Sequence, residues 1–185
     1  MHSFTTERLL IRPLLTEDET FFCRQYTNEK VMEFNCGALS EKFAGLQFQR
    51  SLRANKRASN GGKKSVLTWA IVCKKSKSII GTQTLSALIL PYNKEILAKA
   101  KDEAIKQAEL GIVLSTKVQR KGIAKEALTA LINYSFSVLS LNKINAFYAC
   151  NNQPSEKLFT RLGFIYDPSF QPLNTNNRYI YLEKQ

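Results

Sequence analysis

Histidine is almost absent from this chain: His2, beside the first residue, is the only one in 185 residues. That removes the imidazole-based nucleophile triads and most zinc ligand sets. The four cysteines, Cys23, Cys36, Cys73 and Cys150, are scattered with no C-x-x-C spacing. They read as thiols of a reducing compartment, and no metal is expected. Apolar runs are short, and none approaches the ~18 residues that a membrane span needs. Met1 to Ile11 carries Glu7 and Arg8 where an export signal needs an apolar core. A cytoplasmic protein without a membrane partner is the expectation. Both common glycine-rich nucleotide loops, G-x-x-x-x-G-K-[ST] and G-x-G-x-x-G, are missing, so neither a Walker loop nor a Rossmann dinucleotide site is supported. Acidic residues are few: 15 against 27 basic ones, a net charge of +12. That excess fits a solvated basic surface, or a polyanionic partner such as RNA or a phosphate-bearing cofactor.

What is present reads as one domain over 1–185, long enough for a sizeable core and without repeat or linker. Glu7 to Leu14 is an apolar strand closed by Pro13. Thr16 to Tyr26 is helical, with Thr16 as N-cap and Phe22 and Tyr26 on a shared buried face. Ser40 to Arg53 is a second helix, with Phe43, Leu46 and Leu52 available for burial. Arg50 to Lys64 (RSLRANKRASNGGKK) holds Arg50, Arg53, Lys56, Arg57, Lys63 and Lys64 with no carboxylate, the pattern of a solvated, mobile loop. Val66 to Cys73 and Ile79 to Leu85 are β-branched runs around a polar turn, hence an antiparallel hairpin. Asn93 to Gln107 has helical periodicity. Glu109 to Leu114 is a strand, Gly122 to Phe136 a helix, Ile144 to Cys150 a strand. Gln153 to Leu162 is a helix stopped by Gly163. Phe164 to Tyr166 and Arg178 to Leu182 close the chain as strands. The order is mixed α/β.

The informative stretch is Glu109 to Leu128, ELGIVLSTKVQRKGIAKEAL. A strand enters a polar loop, then Gln119-Arg120-Lys121-Gly122-Ile123-Ala124, then a helix. Gly122 lets a ligand approach the backbone. The helix start offers unpaired N–H groups and a positive dipole end, and Arg120, Lys121 and Lys125 add charge. This is suited to a pyrophosphate; it also fits a helix start with a basic surface turn.

Gln119 to Ala124 matches the signature Q/R-x-x-G-x-G/A, and here the chain resembles the GNAT N-acetyltransferases. The run K-G-I-A-K-E-A-L is similar to the RimJ/RimL-type ribosomal-protein branch. Glu7 to Leu14 resembles the family's opening "TERLxLRPL", Trp69 to Leu85 its central hairpin with Ile80-Gly81, and Asn152 to Ser155 with Leu162-Gly163-Phe164 its "N-x-x-S … LGF" element.

The resemblance implies a twisted mixed sheet flanked by helices, whose two central strands splay apart and hold acetyl-CoA. It implies that Ile112, Val113 and Leu114 give backbone groups to the pantetheine arm. Gln119, Arg120, Lys121, Gly122, Ile123, Ala124 and Lys125 would hold the pyrophosphate, and Asn152 would bond the arm. Acetyl transfer to an amine then needs a base and a proton donor. Glu109, facing the cleft by this resemblance, is the candidate base; otherwise it is a strand-edge carboxylate. Glu126 is a second carboxylate, expected to pair with a lysine. Ser155 is the candidate donor to sulfur, or a polar residue of a helix first turn. Many relatives carry a tyrosine where Phe159 stands here, which shifts that role to Ser155, a water or a tyrosine such as Tyr166. The expected acceptor is a protein N-terminal or side-chain amine, with ribosome or RNA docking through Arg50 to Lys64. A small amine, a CoA-binding domain without turnover and an RNA-associated module are the alternatives.

Overall fold

The computed structural model describes residues 2–35, 37–61, 66–87, 107–170, 172 and 176–184. The β-branched runs pair into one eight-stranded sheet. Its strands are β1 (Phe4–Thr5), β2 (Leu9–Pro13), β3 (Val66–Cys73), β4 (Ile79–Ala87), β5 (Gln107–Leu114), β6 (Lys143–Ala149), β7 (Ile165–Tyr166) and β8 (Asn177–Glu183). Their spatial order is β1-β2-β3-β4-β5-β6-β8-β7. Every neighbouring pair is antiparallel except β5 with β6. The expected hairpin is β3 and β4, paired from Val66↔Ser86 to Val72↔Ile79.

Period-two alternation gives the sheet two different faces. One carries Ile11, Trp69, Ile71, Leu85, Leu110, Ile144, Ala146 and Ile180 into the main core. Helix α4 (Ile123–Ser137) and helix α5 (Gln153–Arg161) lie on that side. From α4, Ala127, Leu128 and Leu131 are completely buried there. The opposite face is covered by α1 (Glu19–Tyr26), α2 (Glu29–Met32) and α3 (Glu41–Ser59). Its smaller core joins Phe22 and Phe48 to Leu14, Ala70 and Val72. Phe22 and Tyr26 stack at 4.3 Å between ring centroids, as their spacing predicts.

Three expectations change on this side of the sheet. Thr16 opens a 3-10 turn but caps nothing: Asp18 accepts the Leu15 N–H at 2.8 Å and forms a two-pronged pair with Arg12. A buried carboxylate bound to a guanidinium is a stronger anchor than a hydroxyl cap. The basic stretch is not a loop through its first ten residues. Helix α3, capped by Ser40, continues to Ser59, and Lys63 and Lys64 lie outside the described residues. Its buried face is Ala44, Phe48, Ser51, Asn55 and Ala58, while Phe43 is 63% exposed and Leu46 42%. Small residues let the helix lie close to β3, and Asn55 fastens it by donating to the Thr68 carbonyl at 2.7 Å and accepting the Thr68 N–H at 3.0 Å. The helix expected over Asn93 to Gln107 falls outside the described residues except for Gln107, which opens β5.

Asn55→Leu therefore keeps the helix and strands the buried Thr68 N–H. The expected loss is about 1–3 kcal/mol, read as a lower urea midpoint with unchanged slope. An unmoved midpoint would show that Asn55 does not fasten α3.

Candidate functional site

Strand β5 pairs with β4 along its whole length, from Ala87↔Ala108 to Gly81↔Leu114. Its parallel pairing with β6 covers only Gln107↔Lys143, Ala108↔Ile144 and Glu109↔Asn145. Beyond Glu109 the two strands part, which is the splay the resemblance implies. Ser115 donates to the Ile80 carbonyl and Gln25 Nε2 to the Val113 carbonyl at 2.8 Å. The odd-numbered backbone groups thus face β4 and α1. Ile112 and Leu114 turn theirs to the opening; Val113 does not. A backbone edge left open inside a sheet is a template for an extended ligand.

The loop after β5 is bent by two residues with positive φ, Arg120 at 60° and Gly122 at 74°. Gln119 folds back on the strand, with Nε2 3.3 Å from the Leu114 carbonyl. Gly122 is the N-cap of α4, and no side chain caps the helix. The first intrahelical bond is Glu126 N–H to the Gly122 carbonyl at 3.1 Å, so the N–H groups of Ile123, Ala124 and Lys125 point out of the helix end. Arg120, Lys121, Gly122 and Lys125 are exposed around that end, with Ala124 half-buried. The site would accept an anion.

Glu126 does not pair with a lysine. Its carboxylate accepts the Thr6 hydroxyl, the Arg8 N–H at 2.9 Å and Arg8 Nε at 2.6 Å. Burial works against its charge, but Thr6 and Arg8 outweigh it and hold the carboxyl below its ordinary value. Arg8 also donates to the Lys121 carbonyl at 3.0 Å. The opening segment is thereby latched to the loop before α4. The pairing partner lies 118 residues away in sequence, beyond any local pattern. A groove of about 770 Å³ lies on the β1 side of α4, lined by Phe4, Arg8, Lys125 and Tyr134 among others; it is not the opening between β5 and β6.

Glu109 stands on the face opposite the main core, where the strands part. Among the described residues no charged partner offsets its burial, and burial pushes its carboxyl above the ordinary value. Gly111 follows on the same face, where an added Cβ would lie 2.8 Å from the Thr84 hydroxyl. Asn145, across from Glu109, is fully buried; it accepts Tyr179 Oη–H at 2.6 Å and donates to Gln107 Oε1 at 3.2 Å and the Ala108 carbonyl at 3.4 Å. Tyr179 is pushed up to about 12, first by burial and then by Asp167, Tyr181 and Glu183. The sequence reading missed Gly111, Asn145 and Tyr179.

On the core side, Asn152 is the N-cap of α5, and its Oδ1 accepts the Ser155 N–H at 3.1 Å. Its amide Nδ2 is left to donate. Ser155 is half-buried in the helix first turn. Phe159 is a core residue against Tyr148 and Phe164. Tyr166 lies at the far edge of the sheet, on β7, with the Arg178 guanidinium 5.6 Å from its ring centroid. It is removed from the opening by two strands. Among the described residues no group of side chains could hold a metal, and no helix is long and apolar enough to cross a membrane.

The model of the acetyltransferase (GNAT) domain family matches residues 8–165. An uncharacterized N-acetyltransferase of Bacillus subtilis (strain 168), YoaA, is 24% identical over 163 residues, 86% of this chain and 80% of that protein. Among solved structures, a ribosomal-protein-S5-alanine acetyltransferase from Vibrio fischeri superposes with a TM-score of 0.75 at 20% identity, covering 99% of this chain and 97% of that one. A spermidine N-acetyltransferase from Vibrio cholerae, in complex with CoA and spermine, gives 0.72 at 21% identity, with 96% of each chain covered.

An acid whose folded value is raised binds more protons folded than unfolded, so stability falls as pH rises from the ordinary carboxylate value through the raised one. Glu109→Gln removes that penalty. The variant should melt above the parent at pH 7 and lose the advantage below about pH 4. A variant that melts below the parent at pH 7 would mean that Glu109 is stabilised by a partner.

Proposed function

The chain belongs to the GNAT acetyltransferase domain family, and from that premise we propose that it acetylates the N-terminal or side-chain amine of a protein, with Glu109 as the base. Family membership makes it an acetyl-CoA-dependent N-acetyltransferase; the acceptor and the residue roles are the proposal. The observation that carries it is a desolvated carboxylate, without a charged partner among the described residues, at the point where the two strands part.

The residues present fit acetyl-CoA. Ile112 and the Leu114 N–H would bond the pantetheine amides, the Leu114 carbonyl being taken by Gln119, and Asn152 Nδ2 would donate from the other side of the opening. Val113 would contribute no carbonyl, because Gln25 holds it. The N–H groups of Ile123, Ala124 and Lys125, with Gln119, Arg120, Lys121 and Gly122 around them, would take the pyrophosphate. Acetyl-CoA supplies an activated acetyl thioester. Glu109 accepts the proton that the attacking amine must lose. Burial raises its pKa and so makes the carboxylate a stronger proton acceptor. The Ser155 hydroxyl donates a hydrogen bond to the departing sulfur, which takes its proton from water, since Phe159 has none to give and Tyr166 is remote.

A protein acceptor is favoured by charge. Arg50, Arg53, Lys56 and Arg57 form an exposed stripe on α3, and none of them is in an ion pair among the described residues. The stripe would dock a polyanionic carrier of the acceptor, such as RNA of a ribonucleoprotein, and would repel a polycation.

The reading is tested first on the cofactor. Acetyl-CoA should raise the melting temperature of the parent, by about 2.7 kcal/mol at ~100 Kd. Gly122→Asp should abolish the shift, because it puts a carboxylate and a strained backbone at the phosphate site; an undiminished shift would remove this loop from the site. Glu109→Gln should lower kcat by ~10²–10⁴ and erase the acidic limb of the rate profile, with CoA affinity kept. If the limb persists, Glu109 is not the base. Ser155→Ala should cost less, because a water can replace the hydroxyl. Finally, Arg50, Arg53 and Arg57 changed to Gln should weaken turnover on an intact ribonucleoprotein and flatten its salt dependence, with little effect on a short peptide. Equal effects on both acceptors would reduce the stripe to plain surface.

A further inference from the structure

Next to Glu109, the acceptor side of the sheet is lined with aromatic rings. Phe147 follows Asn145 by two residues on β6, so its side chain projects on the Glu109 face about 7 Å further along the opening. Gly111, two residues past Glu109 on β5, has no side chain to meet it, and the Thr84 hydroxyl leaves no room for one. Phe147 is backed by Tyr179 at 5.4 Å and Phe170 at 6.0 Å between centroids, and Phe170 and Tyr179 lie 4.2 Å apart. Phe170 reaches this place from the segment after β7, held by the bond of the Asp167 N–H to the Tyr179 carbonyl at 3.3 Å. Tyr179 is buried, whereas Phe147 and Phe170 keep part of their surface. Partly exposed rings in contact beside an open strand edge are a surface that an apolar group can cover.

The charges around this wall are already committed. Asp167 accepts the Ser169 N–H at 2.9 Å and its hydroxyl at 2.5 Å. Glu183 is 3.7 Å from Lys143, whose Nζ sits 3.9 Å from the centre of the Tyr181 ring. Among the described residues, Glu109 is the carboxylate at this place that is left for a ligand's single ammonium group, and a second ammonium would meet rings and Lys143.

We infer that the slot between Gly111 and Phe147 receives the side chain beside the reacting amine, and that Phe147 and Phe170 select acceptors with one positive charge and an apolar, ring-bearing substituent on the carbon that carries the nitrogen. Phe147 and Phe170 are thus specificity-determining residues for the acetyl transfer proposed above, on which this inference rests.

The test uses the full chain loaded with CoA and three amines: phenylalaninamide, glycinamide and spermidine. Binding is measured by calorimetry and turnover by release of free thiol from acetyl-CoA, so recognition and transfer are read separately. Phenylalaninamide should bind, and be acetylated, at least about tenfold better than glycinamide, and better than spermidine. Phe147→Ala and Phe170→Ala should each collapse the phenylalaninamide-to-glycinamide ratio toward unity. Phe147→Leu, which keeps an apolar side chain, should retain part of it and guards against a variant that does not fold. A parent that binds glycinamide as well as phenylalaninamide, or that prefers spermidine, overturns the inference, as does a ratio unmoved in folded Phe147→Ala and Phe170→Ala. Selective binding without thiol release would leave the slot standing and remove the transfer reading; thiol release without selectivity would do the reverse.

Discussion

The parallel ladder between β5 and β6 stops after the register Glu109↔Asn145, and the proposed chemistry depends on that stop. Each strand can afford to part because its other edge is fully paired: β5 with β4 from Ala87↔Ala108 to Gly81↔Leu114, and β6 with β8 from Lys143↔Glu183 to Ala149↔Asn177. The sheet therefore remains one piece while an interior edge of backbone groups stays open. Asn145 marks the fork. Its amide reaches Ala108 and Gln107 on one strand and Tyr179 on another, so the three strands are tied at the height where pairing ends. A side chain with two donors and an acceptor serves where an apolar residue would leave the Ala108 carbonyl and Tyr179 hydroxyl less well paired.

The opening alone would not make the proposed phosphate site; the loop before α4 must also be held in place. That is the work of Arg8 and Glu126, which join the start of the chain to the first turn of α4 and to the Lys121 carbonyl. The pairing also removes an acidic charge from the helix end. Glu126 in the first turn would repel an incoming phosphate if it were free, and Arg8 neutralises it while turning it toward β1. The basic residues Arg120, Lys121 and Lys125 then dominate the local field.

Much of this was legible in the sequence, for physical reasons that differ by element. The hairpin of β3 and β4 announced itself through β-branched residues around a polar turn, and α4 through its apolar period. The Gln119 to Ala124 signature located the helix end correctly. Helix α3 was misjudged because Phe43 and Leu46 drew the apolar face to the wrong side. Its real contact face centres on Phe48 with Leu52 beside it and small or polar neighbours around them, and Asn55 belongs to it only because β3 lies against it. The pairing of Glu126 with Arg8 and the rings of Phe147, Phe170 and Tyr179 were not legible. Each joins residues from distant parts of the chain, and nothing in local periodicity reports such meetings. Glu109 stands out from its place on a strand and a resemblance; its burial is a property of the folded chain.

The unfavourable terms of this fold gather along the same strand. Glu109 is desolvated without a partner charge among the described residues. Gln25 gives its Nε2 to Val113 and keeps a buried Oε1 with no partner among the described residues. Gln83, in register with Ile112, is fully buried with neither amide atom paired among the described residues. Arg120 occupies a positive φ that a non-glycine residue rarely adopts. Natural chains concentrate such costs where function needs them, with the remaining structure supplying the margin. Here the margin comes from the continuous ladders of β2 to β5 and from the Trp69, Leu128 and Leu131 core. A ligand laid along the Ile112 and Leu114 edge would bring polar groups to the part of the sheet where the folded chain lacks them. Binding and stability are coupled through that edge, because groups the fold leaves unpaired are those a bound partner can satisfy.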